Sequence, residues 1–145
     1  MIDMVKAMAS LGEEQRKTML GERIRMFAEM SDGERARMMK EMMSALVTLP
    51  REGQKKLIGT RLAVLMEIDD AARMKVMNTH MQLMSQMPEQ AQMGEVEIIN
   101  ELMDQMPEPA RATAKAKMGD MMVPMLHQLH TKKGTKYAWC PGCAL

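Results

Sequence analysis

Six short stretches decide the fold: LGEEQR at 11–16, MSDGER at 30–35, LPREGQ at 49–54, IDDAAR at 68–73, MPEQAQ at 87–92 and MPEPAR at 106–111. Each opens on an apolar residue and passes at once to turn-forming or acidic residues. Each ends on a long side chain that donates hydrogen bonds: Arg16, Arg35, Gln54, Arg73, Gln92 and Arg111. The step between units is 19 residues, and the six units follow one another without a gap. A repeat of this length is a structural element that buries its apolar face by stacking on its neighbours.

Within a unit the order reads helix start, helix, stop. Ser31 and Glu34 have the spacing of a capping box, and Asp69 occupies the Ser31 column and caps in the same way. Pro50, Pro88 and Pro107 fall in that column too, where a missing backbone donor costs nothing in a first helical turn. Apolar residues follow near the ninth, thirteenth and sixteenth positions, for example Met38, Met39, Met42 and Met43, or Leu57, Ile58, Leu62 and Leu65. That spacing draws one apolar stripe along a helix.

Roughly 14 helical residues leave four or five for each turn, and connections that short make neighbouring helices antiparallel. The expected helices are 1–10, 13–28, 32–47, 51–66, 70–85, 89–104 and 108–123. Two units form a 38-residue helical hairpin, echoed by Gly21-Glu22-Arg23-Ile24 against Gly59-Thr60-Arg61-Leu62. The fold class is all-α: tandem short antiparallel helices forming a helical-repeat solenoid, with a compact multi-helix bundle as the alternative. Residues 1–125 read as a Met-rich repeat domain and 126–145 as a short irregular tail of different chemistry.

Composition agrees with an all-helical chain. Among 145 residues there are 23 Met and one each of Phe, Tyr and Trp, so strand-favouring aromatics are scarce while a good helix former is abundant. Twenty basic against nineteen acidic residues leave a formal charge of +1, which supplies no global basic field for nucleic acid. No apolar run approaches the roughly 20 residues that span a bilayer. Residues 1–10 lack the basic-then-apolar order of a secretory signal, and two closely spaced Cys without such a signal point to the cytoplasm.

The recurring residues have structural readings and functional ones. The methionine columns read as core filling; the competing readings are an adaptable groove for partner helices and Cu(I) ligation by sulfurs such as those of Met39, Met42 and Met43. The Arg/Gln column reads as side chains that bind the free carbonyls ending a neighbouring helix, against a row of guanidiniums that reads carboxylates or phosphates. His80 lies in the helix pattern with no second ligand near it in sequence and is assigned no site.

The tail departs from the pattern. It holds His127, His130, Cys140 and Cys143, with Tyr137 and Trp139 between them. Two imidazoles three residues apart share one side of a continuing helix, and Cys140-Pro141-Gly142-Cys143 is a tight turn that brings two thiolates together. Together they have the composition of a closed tetrahedral zinc site, which is structural because no coordination position stays open. An interchain Cys₄ zinc or iron–sulfur centre is the alternative metal reading, with copper behind it. A c-type haem attachment fails, since Ala144 follows Cys143, and a redox pair lacks its strand–turn–helix setting. The competing non-metal reading is a basic tail carrying Lys132, Lys133 and Lys136, with Tyr137 and Trp139 as anchors for a partner.

Catalytic arrangements do not emerge: no glycine-rich phosphate loop and no Ser/His/Asp or histidine–carboxylate motif occurs. The expectation is a non-enzymatic scaffold or accessory subunit that binds another protein or a second copy of itself. A zinc-binding accessory protein is the alternative.

Overall fold

The structure is a computed structural model in which residues 1–133 are described, apart from the side chains of residues 122, 125, 126, 128–130, 132 and 133. Seven helices occupy the described residues: α1 (Ile2–Ser10), α2 (Glu13–Glu29), α3 (Asp32–Leu46), α4 (Arg51–Glu67), α5 (Asp70–Gln86), α6 (Glu89–Gln105) and α7 (Glu108–Lys133). The repeat is visible in every turn. Its opening hydrophobe ends one helix as an extended residue, as at Leu11, Met30, Ile68, Met87 and Met106, and Gly12, Ser31, Asp69 and Pro88 that come next are the N-caps of the following helices. Ser31 Oγ accepts the Glu34 N–H at 3.4 Å and Asp69 Oδ1 accepts the Ala72 N–H at 2.8 Å, so both act as N-caps. Pro50 and Pro88 are N-caps as well, one residue ahead of the first turn expected for them. Their fixed φ near −57° and −54° suits the extended cap conformation.

By Cα proximity the chain divides into two compact units, Met1–Met87 and Pro88–Leu145, and the division falls in the turn between α5 and α6. In the first unit the main packing is between helices two or three apart: α2 on α4 and α5, α3 on α5, and α1 on α3 and α4. Simple hairpin pairing of consecutive helices would have made adjacent helices the principal partners. Instead α1–α5 wind tightly around one core, in which Val5, Met8, Ile58 and Val64 are at most 1 % exposed. In the second unit α6 packs on α7, and Ile98, Met103, Ala114 and Met118 are buried.

Eight of the 23 methionines serve as core filling among the described residues. Met8, Met39, Met43, Met77, Met84, Met93, Met103 and Met118 are buried. Burying a Met side chain is worth about 1.5–3 kcal/mol, and its unbranched chain adapts where no aromatic ring supplies bulk. Met39 and Met43 lie in the core and Met42 is half-buried, which supports the filling role of that cluster.

One helix end differs from expectation. α7 runs through Pro124 to Lys133, past the stop anticipated at 123. Proline removes one bond to the carbonyl four residues back. That carbonyl belongs to Asp120, and both Asp120 and Pro124 are exposed positions where solvent can meet it. Among the described residues no helix is long and apolar enough to cross a membrane.

Gly94 lies inside α6, and a Cβ built on it meets nothing within 4 Å. Gly94→Ala is therefore expected to raise unfolding free energy by about 0.5–1 kcal/mol, because alanine loses less backbone freedom on folding. A urea titration checks this, and an unchanged or lowered midpoint would contradict it.

Candidate interaction surface

The sixth-position side chains form a series of clips. Arg16 Nη1 donates to the Leu11 carbonyl at 2.8 Å and Arg35 Nη1 to the Met30 carbonyl at 2.9 Å. Arg73 Nη1 reaches the Ile68 and Leu65 carbonyls at 3.1 and 3.3 Å. Arg111 Nη2 reaches those of Met106 and Asp104, each at 3.1 Å. Gln54 Nε2 reaches the Leu49 carbonyl at 2.8 Å. In every case the acceptors belong to the end of the preceding helix or the turn after it, where carbonyls lack intrahelical partners and carry partial negative charge. Asp32, Asp70 and Glu108, three residues ahead in each case, pair with Arg35, Arg73 and Arg111 and hold the guanidinium plane.

Two clips do more. Arg16 Nε donates to Thr60 Oγ1 and Arg35 Nε to Thr79 Oγ1, each at 2.9 Å and across 44 residues. Each hydroxyl in turn donates to a carbonyl on its own helix, Lys56 or Lys75, at 3.0 and 3.1 Å. Arg16 and Arg35 are 8 % and 4 % exposed, so their charge is satisfied inside the fold. These two are structural clips, not an anion-reading row. Lys17 and Glu67 add a 2.5 Å ion pair between α2 and α4, and the Glu67 carboxylate raises the pKa of that ammonium above the usual lysine value.

The Thr60 and Thr79 acceptors lie outside the repeat's own signature. Their signal is a hydroxyl at the twelfth position of the third and fourth units, on an otherwise apolar face. The twelfth positions of the earlier units are Glu22 and Glu41, and those of the later units are Ile98 and Lys117.

The surface outside the clips has two apolar features. Among the described residues Met1, Ile2, Met19, Met26, Val47 and Met74 are the exposed large hydrophobic residues, at 39–50 % exposure. At the start of the first unit an open groove of about 400 Å³ is lined by Met1 and Ile2 together with Arg37, Lys40, Glu41 and Ala45 of α3.

The anticipated tail site is only partly within view. His127 is exposed on α7, and His130 follows three residues later on the same helix. Cys140, Cys143, Tyr137 and Trp139 lie outside the described residues, and among the described residues no group of three or more His, Cys, Asp and Glu could hold a metal ion. His80 is half-buried on α5. Comparison with known proteins finds no matching family model, curated protein or solved structure.

Thr60→Val keeps the shape of the side chain while removing the acceptor of a buried Arg16 donor. The variant is expected to lose about 1–3 kcal/mol of stability. Thr113→Val removes a hydroxyl that bonds only its own helix at an exposed site, and is expected to change stability by less than about 0.5 kcal/mol. Denaturant unfolding of the pair checks the contrast, and equal losses would contradict the clip.

Proposed function

We propose that this protein is a non-enzymatic interaction scaffold, an accessory subunit that presents a Met-bearing helical surface and an aromatic tail to another protein. The observation that carries this reading is the division of labour among repeated residues. Arginines buried in the clips are held internally and eight methionines lie in the core, while Met19, Met26 and Met74 stay at the surface. Exposed thioethers adapt to varied apolar partners, and stacked helices offer extended faces for them. Tyr137 and Trp139 are the proposed anchors, being the large amphipathic residues of the tail.

Affinity capture with the whole chain and with a Tyr137→Ala, Trp139→Ala double variant tests this. A partner recovered by the first should bind the second at least about 30-fold more weakly, the loss of one anchor of about 2 kcal/mol. Equal recovery would show that the tail aromatics are not the anchors.

The second reading is a zinc-linked accessory protein using His127, His130, Cys140 and Cys143. Continuation of α7 to Lys133 favours it, because His127 and His130 then lie three residues apart on one helix. Two thiolates and two imidazoles suit zinc, whose binding would couple to folding of the tail. Metal analysis of protein purified without chelator should find one zinc per chain, lost in both Cys140→Ser and His127→Ala. Metal-free wild type would end this reading.

A further inference from the structure

The methionines divide by what a reagent in water can reach. The buried ones, from Met8 in α1 to Met118 in α7, are at most 8 % exposed. Met19 and Met26 on α2 are 45 and 41 % exposed and Met74 on α5 is 50 % exposed, with Met1 at the start of the chain at 39 %. Met74 is the sharpest case. It is the seventh residue of its unit, a column that holds Lys17 and Lys55 in other units, and Lys75 and Asn78 beside it are exposed too. Core packing therefore does not explain a thioether there. Leucine has a similar helix propensity, so what methionine adds at a solvated helix position is its sulfur.

A thioether carries no proton to lose, so its lone pair is available at any physiological pH. It attacks one oxygen of a hydroperoxide: an S–O bond forms, the O–O bond breaks, and the departing hydroxide takes the proton of the transferred oxygen to leave as water. Sulfur loses two electrons and the peroxide gains them. Two thiols reverse the change, giving the thioether, a disulfide and water, with methionine sulfoxide reductases as catalysts.

Burial decides what this oxidation costs. At Met19, Met26 and Met74 water solvates the new oxygen, and the helix is left as it was. In the core the same oxygen becomes a buried acceptor without a donor. A core sulfur is also reached only when the structure around it opens, and such states are sparsely populated.

We propose that Met19, Met26 and Met74 are reversible acceptors of peroxide oxygen, oxidised in the native fold while the core methionines are spared. The co-reactant is a small hydroperoxide, and the reaction requires no partner protein. The role therefore stands independently of the scaffold reading, although it makes polar the same thioethers which that reading assigns to apolar contact.

Hydrogen peroxide in excess over the full chain, followed by proteolysis and mass spectrometry at intervals, reads the rate at each site. Met19, Met26 and Met74 should each gain one oxygen at least ~10-fold faster than Met8, Met103 and Met118, with helical circular dichroism unchanged meanwhile. Reductases for both sulfoxide epimers, supplied with a dithiol, should return the mass to that of untreated protein. A Met19→Leu, Met26→Leu, Met74→Leu variant keeps its helices, because all three positions are exposed, and should lose the fast uptake apart from that of Met1. In guanidinium chloride, with the fold lost, all sites should react alike. Equal rates at exposed and buried sites in the native protein would overturn the proposal, as would loss of helicity with the first oxygens. A rate difference that persists in guanidinium chloride would overturn it as well, by assigning the difference to local sequence.

Discussion

A guanidinium buried under a two-residue turn is the constraint around which this fold is organised. Ending a helix leaves carbonyls without partners, and starting another at once leaves little chain to satisfy them. An arginine on the new helix solves this locally by reaching back to the opening hydrophobe's carbonyl, where its positive charge also suits the helix end. The geometry of the group then does something a lysine cannot. Because the guanidinium carries five donors in a rigid plane, Nε points away while the terminal nitrogens hold the turn. In Arg16 and Arg35 that remaining donor fixes a helix 44 residues further on. One residue thus sets both the local corner and the long-range stacking. Gln54, with a single amide group, closes its turn through Leu49 and has no comparable reach.

Packing follows from this register. Placing each helix against those two and three further along brings the apolar positions of α1–α5 into one core, and flexible methionine chains fill space that few aromatics would fit. The twelfth position governs how far the clip pattern can continue. Threonine at 60 and 79 accepts a guanidinium proton, whereas Ile98 and Lys117 offer no acceptor. The chain divides into compact units between the repeats that hold the last threonine and the first such replacement.

Much of the architecture is legible in the sequence because the period, the caps and the apolar stripe all act locally. Helix ends from Glu13 to Gln105 fall within a residue of those expected from Ser31, Pro50, Asp69 and Pro88. The carbonyl-binding role of the arginine column is also legible, since the orphan carbonyls and the cation are close in sequence. The packing order is not. Whether a short helix stacks on its neighbour or on the one after depends on Arg16 finding Thr60, a pairing with no local signature. Continuation of α7 past Pro124 has no local signature either: proline removes one helix bond, and an exposed carbonyl tolerates that loss. The tail residues Tyr137, Trp139, Cys140 and Cys143 lie outside the described residues.

The twelfth position connects fold and function. Where it is threonine, the face is closed within the molecule; where it is Glu22, two methionines remain at the surface beside a carboxylate. This closure requires the arginine–threonine join to be an energetic link and not just a neighbouring pair. A double-mutant cycle on Arg35 and Thr79, with Arg35→Met and Thr79→Val followed by denaturant unfolding, measures that link directly. The expected coupling energy is about 1–3 kcal/mol, with the double variant less destabilised than the sum of the single ones. Strictly additive losses would contradict it.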